Sequence, residues 1–474
     1  RAEALRGAAV ALGQAPLAAE AELLVGMSAT KLQKPEVAVT SLARAFTACG
    51  ALGLDELAAR AAIELLFFVG SVQSHHEVAQ AWAQAAELFV ARLGKEEDLL
   101  GSAYLNALAS LFKSRGELAE AVRVFERGLA IREAVLGPDH PDLAVMLNNL
   151  GNTLTLLGRD EEAQARFERG LALAERSLGE GHLLTMVLLD NLSALRLGRG
   201  ALDEAQALTE RALRLRLEAF KSGHPQLGGS YNALGLILQQ RGDLVAARGM
   251  FERALAIHER AFGPDHPLVA DAYGNLSLVA RLRGSLVEAQ ALEEKALGIR
   301  ERTLGPDHLD VGWSLESLAS LGLQRGEQAQ ARAFARRSLA LRERVPDSRE
   351  LASSLTTLGT IELGRGDPAA ARPLFVRALA IRERTMEPDN FLIADTLCGL
   401  ADVELQAGAL ERALELATRA RDIRVKSRPP DDPDLARPLM ILGEVELRRG
   451  RPREALPLLE RALALRAGPG VSPV

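Results

Sequence analysis

Apolar and small residues along the chain follow a helical rhythm, and the rhythm repeats. In residues 140–181, Leu143, Leu147, Leu150, Leu154 and Leu157 fall at i, i+3/i+4 spacing and predict one amphipathic helix. Ala163, Phe167, Leu171 and Leu178 lay down a second stripe. Between the stripes, Gly158 tolerates the left-handed turn that ends a helix. Asp160 stands where the next N-cap is expected, with acids in the first turn to suit the helix dipole. Gly151 and Ala163 are small enough to let the two helices approach closely. Such a hairpin cannot bury both stripes alone, so copies must stack into a solenoid.

The copies are present. Turn glycines from Gly116 to Gly450, alanines from Ala121 to Ala455 and leucines from Leu108 to Leu442 each recur nine times, at steps of 42 residues except one of 40. The link is Gly137-Pro138-Asp139-His140-Pro141, seen again at 263–267, where glycine ends one helix and Asp or His caps the next. The short step falls at Arg344–Asp347, which lacks the Leu304-Gly305 pair, so a tighter junction and a local change of superhelical path are expected there. Three divisions follow: divergent helical hairpins over 1–101, the regular array over 102–467, and a disordered tail over 468–474.

Composition narrows the class. Of 474 residues, 48% are apolar but only 4% aromatic, the weight lying on Leu and Ala. The net charge of −6, from 57 basic and 63 acidic residues spread evenly, leaves no basic stripe for nucleic acid or a membrane surface. No apolar run approaches the ~18 residues of a membrane span. Cys49 and Cys398 cannot form a disulfide framework, and a reducing, cytoplasmic setting is expected. The basic residues are almost all arginine, which reads as the mark of a GC-rich genome. A chain starting at Arg1 reads as a piece of a longer protein.

Leu150-Gly151, Leu154, Ala163 and Phe167 occupy the columns of the tetratricopeptide repeat, which the unit resembles. Its 42-residue period, the Leu147–Gly151 run and residues 251–267 are similar to the kinesin light chain subtype. The resemblance, from Ser102 to Arg466, implies an all-α fold, a right-handed superhelical solenoid of stacked antiparallel helix pairs. It also implies a non-catalytic scaffold binding a partner polypeptide in a concave groove. Arrays of this subtype occur in bacterial signalling proteins as C-terminal arms of Ser/Thr protein kinases. An alternative reading is therefore a regulatory or substrate-docking arm, with the kinase domain before Arg1. A third is self-association through an array end carrying Leu65, Leu66, Phe67 and Phe68.

Catalytic and metal chemistry find little support. His140, His182, His224, His266 and His308 recur every 42 residues, but equivalent positions in stacked helices lie ~8–10 Å apart, too far for one ion. They read as caps. His75-His76-Glu77 fails as a metalloprotease motif because Gln80 replaces the second histidine, and Gly198-Arg199-Gly200 has Asp203 where a dinucleotide loop needs glycine. Cys398 has no histidine nearby in its repeat, and no cofactor is expected. The resemblance instead points to two columns of the groove. One holds Asn106, Asn148, Asp190, Asn232, Gly274 and Glu316; the other holds Asn149, Asn191 and Asn275. Carboxamides there can bond a peptide backbone or tie adjacent repeats together. Asn152, Gln239, Asp271, Arg281 and Trp313 are expected to share the groove. Its mixture of Asn, acids and occasional Arg argues against an acidic ligand.

Overall fold

The computed structural model describes residues 2–32, 34–427 and 431–467. Among these residues lie twenty-three α-helices and no strand. The tail expected at 468–474 lies outside them. The chain divides into two compact units, 1–241 and 242–474, each a run of stacked helices. In the first, α1 (Ala2–Ala11) precedes the pairs α2 (Ala15–Lys31) and α3 (Pro35–Ala51), then α4 (Asp55–Phe67) and α5 (His76–Arg92). There follow α6 (Leu99–Ser114) with α7 (Leu118–Leu136), α8 (Leu143–Leu156) with α9 (Asp160–Leu178), α10 (Leu183–Gly198) with α11 (Leu202–Ala219), and α12 (Pro225–Gln240). The second unit opens on α13 (Leu244–Phe262) and continues with α14 (Pro267–Leu282) and α15 (Leu286–Leu304), then α16 (Val311–Gln324) and α17 (Gln328–Arg342). Its last pairs are α18 (Arg349–Gly364) with α19 (Pro368–Thr385), α20 (Phe391–Gln406) with α21 (Leu410–Ser427), and α22 (Ala436–Arg448) with α23 (Pro452–Ala467).

Turn and link chemistry set these bounds. Gly158 takes φ 75°, the left-handed turn between α8 and α9. Gly179 ends α9 at φ 87° and ψ 163°, a region open only to glycine. Each of the five periodic histidines accepts, through Nδ1, the backbone N–H two residues ahead, at 3.1–3.4 Å. The link aspartates do something else: Asp139 binds Arg176 at 2.9 Å and Asp265 binds Arg302 at 2.5 Å, both on the second helix of the pair that follows. Asp160 is not a cap. The N-cap is Arg159, without a side-chain bond, and Asp160 sits inside the first turn, where the dipole alone favours it. At the 40-residue step α17 has 15 residues against 19 in α15, and Asp347 adopts φ 62°.

The core is built from rings seated on glycine. Phe167 is buried, and a Cβ on Gly151 would lie 2.5 Å from its ring, so close packing of α8 on α9 requires glycine. One repeat on, Ser193 and Thr209 replace that pair and bond each other at 2.6 Å, Ser193 also reaching the Ala205 carbonyl. In the divergent hairpins Leu65, Leu66 and Phe68 are buried in the first unit's own core. The apolar surface expected to serve self-association is therefore reduced to Phe67, because α4 turns Leu65 and Leu66 inward and the turn that follows it does the same to Phe68.

Candidate partner-binding face

In the first unit α6, α8, α10 and α12 lie side by side. Each leaves one stripe uncovered. On α8 that stripe is Val145, Asn148, Asn149, Asn152 and Leu156, with Val145 47% and Leu156 63% exposed and the asparagines half-buried. The carboxamides are largely spoken for. Asn149 Nδ2 donates to Asn106 Oδ1 at 3.1 Å, and Asn191 Nδ2 donates to Asn148 Oδ1 at 2.7 Å. The second asparagine of one repeat thus grips the first asparagine of the repeat before it, which is the tying role. Spare capacity remains, since Asn106 keeps its amide donors and Asn149 its carbonyl oxygen. Asp190 is held by Arg216, whose guanidinium also donates to Ser230 at 2.7 Å and so joins α10, α11 and α12. Asn232 is not free either. Asn152 makes no bond among the described residues, and Gln239 lies half-buried near the end of α12.

In the second unit Asp271 accepts from Arg300 at 2.8 Å, and Arg300 also binds Ser314. Trp313 is half exposed and covers the guanidinium of Arg342, 4.7 Å from the ring centre. Thr357 donates to Glu316 at 3.4 Å, and burial raises the carboxyl of Glu316 above its usual range. Asn275 is engaged, and Arg281 lies near buried Glu293, whose carboxyl burial pushes up. Of the thirteen residues anticipated from sequence, the structure brings together Asn106 with Asn149 and Asn148 with Asn191. Asn232 and Asn275 are each engaged, and the remainder stand singly or against partners outside the anticipated set.

Two features escaped the sequence reading. Arg216, Arg300, Arg342, Arg382 and Arg424 recur at the repeat spacing on second helices, all at or below 9% exposure. Their periodicity is plain in the sequence, but in a chain whose basic residues are almost all arginine it does not distinguish a buried arginine from a surface one. The other is a cleft of about 1060 Å³ in the divergent hairpins, with Ile63, Phe67, Val72, Asn106 and Arg132 among its lining. Chemistry is otherwise sparse. Burial pushes the Cys398 thiol up to about 12, which makes it a poor nucleophile. Among the described residues no group of three His, Cys, Asp or Glu is placed to hold a metal, and no helix is long and apolar enough to cross a membrane.

Stacked antiparallel pairs, glycine turns and one open stripe per first helix define a helical-repeat solenoid. The chain belongs to the tetratricopeptide repeat family, which it matches over 99–176, 142–218, 226–302, 286–344, 323–384, 350–426 and 392–467. No curated protein sequence matches it. Among solved structures it is similar to BtubC (BKLC) from P. vanneervenii at 23% identity and TM-score 0.41, covering 48% of this chain and 91% of that one. A putative kinesin light chain with nearly identical repeats from Podospora anserina gives 22% and 0.38, covering 44% and 99%. A tetratricopeptide repeat protein from Parabacteroides merdae gives 18% and 0.45, covering 64% and 98%.

Proposed function

We infer that this chain is a non-catalytic scaffold that holds a partner polypeptide against its row of first helices. Family membership supports a protein-binding role. The observation that carries the reading is the open stripe on α8, where apolar Val145 and Leu156 stay exposed at either end of a half-buried polar row. An apolar contact at each end with hydrogen-bonding groups between is a pattern an extended chain can satisfy. With the carboxamides of Asn148 and Asn149 bonded to neighbouring repeats, direct contact falls first to Asn152, Val145 and Leu156. Trp313 offers a second anchor in the second unit, as an exposed tryptophan rigidified by the arginine beneath it.

The test uses peptides selected by display on the intact chain. Asn152→Arg places a bulky cation on the stripe without touching the asparagine bonds. Affinity should fall about tenfold or more at unchanged melting temperature. Peptides that bind this variant as well as the parent would put the contact surface elsewhere.

A further inference from the structure

The cleft in the divergent hairpins does not end where its largest lobe ends. A second cleft of about 640 Å³ adjoins it, and both are lined by Ile63, Glu64 and Ala103. Together they make one groove that follows α4 between α2 and α6, from Glu56 to Gln73. At ~1.5 Å per helical residue that is about 25 Å. The apolar lining is conspicuous: Leu24, Phe67, Val72 and Leu99 are each 39–58% exposed. The cause is local. After Phe67 the helix widens into a π-turn over Phe68–Val72, and Gly70 is pressed so hard on Ala79 and Leu111 that a Cβ would lie 2.9 Å from each. That seating commits Phe68 and Val69 to the core and leaves Phe67 and Val72 on the groove.

The two ends differ in charge. At one, Glu20, Glu56 and Asp98 face Arg60 and Lys95, and both bases are already paired with Glu56, at 2.7 and 2.8 Å. At the other stands Arg132. Its one bond among the described residues is from Nε to Ser102 Oγ at 3.0 Å; Asp142 acts on it from outside hydrogen-bonding range, and Glu64 shares the lining of the cleft. A half-buried guanidinium with its terminal nitrogens unbonded is a ready receptor for a carboxylate.

We propose that this groove holds an amphipathic helix of a partner protein, apolar face down on Phe67 and Val72, with an acidic end against Arg132. A helix fits better than an extended chain because it bonds its own backbone, whereas an extended chain would leave amides unpaired on an apolar floor. The site lies between the divergent hairpins and α6–α7 and borders the stripe on α8 at Asn106, which lines the cleft and accepts from Asn149. Asn152→Arg should leave it untouched.

The test uses the intact chain and a labelled peptide of about 16 residues, about 24 Å as a helix. It carries leucines at i, i+3/i+4 and i+7 and two glutamates at one end. Two further versions replace those glutamates with glutamine or lysine. Fluorescence anisotropy should rank affinity Glu, then Gln, then Lys, spanning about tenfold or more. Arg132→Gln should collapse the Glu–Gln difference, the coupling expected of a direct pair. Phe67→Glu should weaken all three peptides about tenfold or more at unchanged melting temperature. Should it disturb folding, Val72→Glu replaces it. Failure of the glutamate peptide to bind, or equal affinity for the glutamate and lysine versions, overturns the proposal. So does light scattering that finds a dimer abolished by Phe67→Glu, since a second copy would then own the groove.

Discussion

The first unit presents two surfaces that share α6 and have opposite character. From α6 to α10 the repeats are regular, and their polar side chains bond one another across the stack, as Asn149 does Asn106 and Asn191 does Asn148. Along α4 the repeat is irregular, its charged side chains gather at the ends apart from Glu64 midway, and bulky apolar ones face water. Regularity lets like columns pair, so the ordered part of the array satisfies itself. Where the period is lost, a π-turn precedes the left-handed turn, which Ser74 holds at φ 57° in place of glycine, and no equivalent column is there to cover what the π-turn exposes. The divergent hairpins are thus the part with most unspent apolar surface, although nothing in their sequence carries a recognisable binding motif.

The contrast can be broken from either side. The largest effect should come from Phe167→Ala, which empties the ring seat on Gly151 and should cost about 3–5 kcal/mol in chemical denaturation. Next is Arg216→Met, which strands Asp190 and Ser230. It should cost about 2–3 kcal/mol, below the range for a fully buried pair because Asp190 retains contact with water. Asn149→Ala removes one rung from the regular stretch and should cost about 0.5–1.5 kcal/mol. If the rung instead proves neutral in a double-mutant cycle with Asn106→Ala, self-satisfaction is not what distinguishes the two surfaces. In the second unit, His258 occupies the arginine column, buried, with Nδ1 unpaired and its pKa lowered first by burial and then by His266. The unfolded chain binds the proton more readily, so the stability this neutral imidazole contributes is present above about pH 6.5 and lost as pH falls through the folded value. The melting temperature should drop modestly between about pH 7.5 and 5.5, and His258→Gln should flatten part of that slope.

Much of this was legible in the chain itself. The period of Leu150, Gly158 and Ala163 specified paired helices, and the five histidines were read as caps because spacing excluded a shared ion. The columns of Asn148 and Asn149 are visible in the sequence, but their bonds to Asn191 and Asn106 depend on an offset between neighbouring repeats that no single repeat encodes. The buried arginines were missed because charge ordinarily means surface, and Arg216 contradicts that only through Asp190 and Ser230 on two other helices. The groove along α4 was missed for a different reason. Leu65 to Val69 is an unbroken apolar run, and which member stays outside depends on the π-turn and on how Gly70 seats.

The asparagine rungs also bear on how such an array can change length. Each rung joins position 149 of one period to position 106 of the period before, so the two halves of the joint never reside in the same copy. Excising residues 149–190, one whole period, would set Asn191 opposite Asn106 and re-form an identical joint. The same excision removes Asp190 and sets Asn148 in its place before the buried Arg216, so the joint survives the cut while the ion pair behind it is lost, and the length of the stretch can be trimmed freely only where such a pair does not straddle the splice.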